Sequence, residues 1–204
     1  MEIPYKEIRQ YLIESDPIMS RIVSSVSVEP EPTPSVDIGY YLMSSIVSQQ
    51  LSTKVADIIW KRFTELFKDE YPDPKAVLET SGDALRNIGL SRQKSKYLKN
   101  VAQFALENDM RFEILNAMSD EEIIHSLTSI SGVGKWTVQM VLMFPMDRPD
   151  VFPVDDLGIQ TKMKHWYGLT TEKKELKQDM QEIAEVWKPY RTLACKYLWS
   201  SLTD

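Results

Sequence analysis

The chain has 204 residues, 43% hydrophobic and 26% charged, with a formal net charge of −6 and one cysteine. That length holds one substantial core or two small lobes, and a lone Cys195 excludes an internal disulfide and any cysteine-built zinc or iron–sulfur centre. No apolar run reaches the length that spans a bilayer, and the negative balance argues against a protein that coats nucleic acid non-specifically while leaving room for a local basic face.

The N-terminus, MEIPYKEIRQYLIESDP, mixes charges and has no apolar core, so it does not read as a secretory signal; a reducing, cytoplasmic location is expected. Prolines cluster at 30–34 in the short connector EPEPTP and recur at 72, 74, 145, 149, 153 and 189, each marking a break between helical stretches. Residues 52–67 place Val55, Ile58, Ile59, Phe63, Leu66 and Phe67 on one stripe at helical spacing. Ser119 with Glu122 forms a capping box that opens the apolar run Ile123, Ile124 and Leu127. Residues 171–187 repeat the helical pattern through Leu176, Met180, Ile183, Ala184 and Trp187. No stretch alternates with period two, so the fold class is all-α. Residues 85–98 and 127–142 echo each other loosely, both reading helix, glycine turn, helix.

The second of these turns, ISGVGKWTV at 130–138, carries two of the chain's 7 glycines. A glycine in the left-handed conformation ends one helix without steric cost, and a second lets the next begin at a steep angle. The new N-terminus presents free N–H groups and a partial positive charge that a phosphate can approach, with Lys135 beside it. The same local sequence reads equally well as a plain glycine-capped turn between helices. Downstream, DRPDVFPVDDLGIQ (147–160) sets the adjacent carboxylates Asp155 and Asp156 after an extended run held by Pro149 and Pro153. Either acid suits a helix N-cap. One suffices, which leaves the other without a task.

Together LTSISGVGKWTVQMVLMF and DVFPVDDLGI resemble the helix-hairpin-helix (HhH-GPD) DNA glycosylase superfamily, and within it the 3-methyladenine DNA glycosylase II branch. IVSQQLSTKVADIIWKRF (46–63), GLSRQKSKYL (89–98) and WKPYRTLACKYLW (187–199) match that branch in order and spacing, so the likeness runs over roughly residues 37–200. It implies a single glycosylase domain over 1–204 with two helical lobes and a central cleft, lacking the N-terminal β domain of larger relatives. The expected lobes are 37–126, and 1–36 plus 127–204 carrying the hairpin and the acid. The implied activity is that of a DNA-3-methyladenine glycosylase II. It flips 3-methyladenine or 7-methylguanine out of duplex DNA and hydrolyses the N-glycosidic bond in base excision repair.

By the resemblance Asp155 is the catalytic carboxylate, stabilising the oxocarbenium ion and activating water, and Asp156 is the helix cap. Relatives that also cut the strand place a lysine two positions after the second hairpin glycine. Here that position is Trp136, and Lys135 points about 100° away on a helix. The chain is therefore expected to be monofunctional, without lyase activity. Trp136, Trp199 and Met140 are expected at the base pocket, with Met140 standing where the best-known pattern has a tyrosine. Gln50, or Leu51 beside it, is the expected wedge into the gap left by the flipped base. The backbone at Gly132, Gly134 and Trp136, supported by Lys135, is expected to hold phosphates. The carbonyls of Thr128, Ile130 and Val133 are where the family's hairpin holds Na+ or K+; no cofactor is required. Arg92, Lys94 and Lys96 read as a solvated helix face or a second phosphate contact. The expected partner is double-stranded DNA with alkylated bases, bound by a monomer with no membrane association. Two alternatives stand: a glycosylase of the same fold for hypoxanthine or 1-methyladenine, and a non-catalytic DNA-binding module.

Overall fold

The computed structural model describes residues 5–28 and 37–201, and among them every regular element is helical. The EPEPTP connector lies outside the described residues. Thirteen α-helices are present among the described residues. They fall into two compact units, Met1–Pro32 with Asp147–Asp204, and Thr33–Met146. The hairpin at 127–146 therefore sits with the middle of the chain and not in the unit that carries Asp155. None of these helices is long and apolar enough to cross a membrane.

The first unit is built from α1 (Tyr5–Ser15), α2 (Pro17–Ser25) and, after the chain returns, α11 (Leu157–Tyr167), α12 (Lys173–Ala184) and α13 (Arg191–Ser200). On α12, Leu176, Met180 and Ala184 are buried, and Trp187 in the following 3-10 turn is fully enclosed, as the periodicity predicts. Asp16 closes this core. Its carboxylate caps α2 by accepting from the N–H groups of Ile18 at 2.8 Å and Met19 at 3.1 Å. It also accepts from Tyr167 Oη at 2.6 Å and Trp187 Nε1 at 3.0 Å. A carboxylate 7% exposed is stable only because four donors replace its water. Burial, then the adjacent Asp16, raises the proton affinity of the Tyr167 hydroxyl and keeps it a donor.

The second unit comprises α3 (Ile38–Ser48), α4 (Thr53–Thr64), α5 (Pro74–Glu79), α6 (Gly82–Asn87), α7 (Arg92–Glu107), α8 (Phe112–Asn116), α9 (Asp120–Thr128) and α10 (Lys135–Met143). α3 packs against α4, α7 and α10, and α9 packs against α10, which is what ties the hairpin to this unit. The capping box of α9 forms as read: Ser119 Oγ accepts from Glu122 N–H, and the Glu122 carboxylate accepts from Ser119 N–H at 2.8 Å. The apolar stripe over 52–67 is narrower than its sequence suggests. Ala56, Ile59, Phe63 and Phe67 are buried, whereas Val55, Ile58 and Leu66 are exposed. On the helix itself one face carries Ala56, Ile59 and Phe63 inward and turns Val55 and Ile58 outward, while Leu66 and Phe67 lie beyond its last turn. α4 ends at Thr64.

Both glycine turns read from sequence are present. Gly89 follows α6 with φ +103° and Gly132 follows α9 with φ +106°, each in the region that favours glycine. Gly132 has a second constraint, since a Cβ there would lie 2.3 Å from Cγ of Tyr97 on α7. Gly134 is extended, at φ −93°, and a Cβ there meets nothing within 4 Å.

Two stability effects follow. Asp16→Ala leaves buried donors unpaired and should destabilise the protein by about 3–5 kcal/mol in urea unfolding, with Asp16→Asn milder. Gly132→Ala should cost about 2–4 kcal/mol from backbone strain and overpacking on Tyr97. Gly134→Ala, an N-cap change in open space, should cost about 1 kcal/mol or less.

Candidate active site

In the first unit the chain from Asp147 to Asp156 is irregular yet tightly held. Arg191, at the start of α13, grips Asp150 from Nε to Oδ1 at 2.6 Å and from Nη2 to Oδ2 at 2.8 Å. Thr192 donates through Oγ1 to the Arg148 carbonyl at 2.6 Å and accepts from Val151 N–H at 3.0 Å, and its own N–H reaches the Pro149 carbonyl. These bonds satisfy a loop backbone that has no helix to pair with. The N–H of Asp156 then closes a turn onto the Pro153 carbonyl at 2.9 Å. Gln160 Nε2 pins the Val154 carbonyl at 2.9 Å.

The twin acids part ways at this turn. Asp156 is the N-cap of α11: its Oδ1 accepts from Ile159 N–H at 2.8 Å and from Trp199 Nε1 at 2.9 Å. Asp155 lies within the turn, with its side chain 46% exposed, and its Oδ1 pairs with Nζ of Lys177 on α12. Trp199 is half-buried, and its indole lies 3.3 Å from where a Cβ of Gly158 would stand, so the glycine gives the ring access to the first turn of α11. Sequence reasoning named Asp155 as a candidate acid and Trp199 as a candidate pocket residue. It carried no sign of Lys177, which lies 22 positions beyond Asp155 on a helix whose phase is set by Leu176 and Met180. Cys195 is fully buried, and burial raises its proton affinity, so it packs and does not react.

In the second unit the hairpin and the 49–51 turn form one assembly. The hairpin turn closes with Val133 N–H on the Ile130 carbonyl at 2.9 Å. Asn100 Nδ2 donates to the Ser131 carbonyl at 2.9 Å and Gln49 Nε2 to the Gly132 carbonyl at 3.4 Å. Lys94 donates from Nζ to the carbonyls of Val47 and Gln49, both at 2.7 Å. Lys94 is therefore neither a solvated residue nor a phosphate contact. It caps the C-terminus of α3, where an ammonium meets both unpaired carbonyls and the negative end of the helix dipole, and burial lowers its proton affinity. Arg92 and Lys96 are exposed.

Gln50 protrudes from this assembly. It has φ +59° and is exposed, next to Leu51 at 37% exposure. A non-glycine residue in the left-handed region marks a turn held against its preference. Gly134 is the N-cap of α10 and offers no side-chain cap, and Lys135 and Trp136 are exposed on the helix's first turn. Met140, one turn on, is only 7% exposed and offers little surface to a base. Of the three hairpin carbonyls, that of Ile130 already accepts the Val133 N–H and keeps one lone pair for other use. Among the described residues no group of three His, Cys, Asp or Glu side chains could hold a metal ion. Neutral carbonyl oxygens suit an alkali cation better than a transition metal.

Comparison with known proteins identifies the family. The family model for the HhH-GPD superfamily base excision DNA repair protein matches residues 43–189. The alkylbase DNA glycosidase-like protein mag2 of Schizosaccharomyces pombe is 32% identical over 201 residues, covering 96% of this chain and 92% of its own. The Bacillus subtilis protein YfjP is 33% identical over 189 residues, 88% of this chain, and the chain spans 65% of its length. Among solved structures, S. pombe 3-methyladenine DNA glycosylase (Mag1) in complex with abasic DNA superposes with a TM-score of 0.85 at 29% identity, covering 95% of each chain. The chain belongs to the HhH-GPD superfamily of base excision DNA repair proteins.

Proposed function

We propose that the protein is a monofunctional alkylbase DNA glycosylase of the 3-methyladenine type, which flips a damaged purine from duplex DNA and hydrolyses its N-glycosidic bond in base excision repair. The observation that carries this reading is the division of labour between the twin acids. Asp156 is consumed by the α11 cap and the Trp199 indole, and Asp155 is left on an exposed turn. The mag2 and Mag1 likenesses support the substrate class.

A cationic alkylated purine is already a good leaving group, so the barrier lies in the charge that grows on the sugar. A carboxylate about 4 Å from that charge is worth roughly 4 kcal/mol at an effective dielectric of 20, or close to a thousandfold in rate. Asp155 supplies this charge and orients the attacking water. Trp136 is exposed on the first turn of α10, and Trp199 is half-buried with its indole N–H on Asp156; an aromatic face of this kind attracts a cationic base. The Asp156 bond fixes the Trp199 ring plane. Backbone N–H groups at the start of α10, with Lys135, take phosphates, and Gln50 enters the gap in the duplex. An alkali cation, when bound at the Thr128, Ile130 and Val133 carbonyls, would add positive field at the hairpin. The protein acts in the compartment that holds DNA.

Base release from methylated duplex, followed by chromatography, tests the assignment. Asp155→Asn should lower the rate about a thousandfold while affinity for an abasic-analogue duplex changes little. Asp156→Asn should keep most activity, because asparagine caps helices as well as aspartate does. The opposite pattern would reverse the two roles, and a borohydride-trapped adduct would overturn the monofunctional mechanism. Gln50→Gly should remove the wedge and relieve a left-handed residue together. The melting temperature then holds or rises, while base release from duplex falls about ten- to a hundredfold. An unchanged rate would assign the wedge elsewhere.

A further inference from the structure

The proposed chemistry leaves Lys177 without a role. Its ammonium is in contact with Asp155 Oδ1, and the two side chains are 43% and 46% exposed. That contact conflicts with the task given to Asp155. An ammonium about 6 Å from the anomeric carbon would repel the growing sugar charge and take back roughly a hundredfold of the rate at an effective dielectric of 20.

Two features make the contact easy to give up. An ion pair between half-exposed groups is held weakly, and lysine carries a compact charge on a flexible stem that exchanges partners readily. Other lysines of this protein are engaged elsewhere: Lys162 donates to the Ser201 carbonyl and Lys164 pairs with Glu172. Lys177 has a partner that a docking duplex can replace, because the phosphates flanking a nucleotide lie within a lysine's reach of its anomeric carbon.

We infer that Lys177 is a positioning residue that exchanges partners on DNA binding. In the free protein it neutralises Asp155, so that the acid does not repel the approaching phosphates. In the complex it moves to the phosphodiester beside the everted nucleotide and unmasks the carboxylate. The inference rests on the assignment of Asp155 proposed above.

The test measures Lys177→Gln and Lys177→Arg in the full chain. Affinity for a duplex with a tetrahydrofuran abasic analogue is followed over a range of salt, and single-turnover base release is followed at saturating methylated DNA. Lys177→Gln should weaken binding severalfold and reduce the slope of log affinity against log salt by about one. Its saturated rate should stay within about threefold of the unaltered protein, since the ammonium has left Asp155 by then. Lys177→Arg should restore affinity and slope. An unchanged slope would overturn the exchange. So would a saturated rate that rises about a hundredfold, which would show the ammonium still on Asp155 in the complex. A collapsed rate with unchanged slope would reduce Lys177 to a prop for the carboxylate. If the unaltered protein released no base from methylated DNA, the Asp155 assignment would fall by itself, and the salt slope would still read the phosphate contact.

Discussion

The first unit depends on one shared carboxylate. Oδ1 of Asp156 takes the N–H of Ile159 and the indole N–H of Trp199, joining the start of α11 to the end of α13. A helix N-terminus must find acceptors for its first N–H groups, and here the acceptor doubles as the anchor of an aromatic ring. With Asp156 so occupied, the turn closed onto Pro153 can present Asp155 outward. The loop leading there is clamped by Arg191 and Thr192, so the exposed acid stands on rigid backbone.

The second unit solves a related problem with backbone groups. The turn proposed to take phosphates needs its N–H groups uncovered and its carbonyls satisfied. Asn100 and Gln49 hold the carbonyls of Ser131 and Gly132 from behind, and the Tyr97 ring fills the space under Gly132. Lys94 fixes the adjoining end of α3, from which Gln50 projects. Hairpin and proposed wedge thus share supports on α7: Asn100 and Tyr97 under the hairpin, Lys94 under the adjoining end of α3.

The net charge of −6 is compatible with a DNA-directed protein for the same reason. Several lysines cap or anchor backbone carbonyls: Lys94 on α3, Lys99 on the Leu78 carbonyl and Lys162 on Ser201. A grip on phosphate that relies on helix N–H groups needs few side-chain cations. It favours a local contact over a long basic surface.

Local rules carried much of the reading. The capping box at Ser119, the glycine turns at 89 and 132 and the apolar phase of α12 are set by neighbours within one helical turn, and the sequence alone determined them. Between Asp155 and Asp156 the local residues left the α11 cap open, and only the family resemblance named Asp156. Tertiary structure decided what depends on contacts between distant positions. It buried only one narrow face of α4, leaving Val55 and Ile58 outside. It placed the hairpin with residues 33–146 because α10 packs on α3. It turned Lys94 inward onto α3 and set Lys177 against Asp155. A lysine's reach spans many possible partners, and periodicity records which face of a helix is apolar but not which element comes to cover it, or which charge waits at its edge.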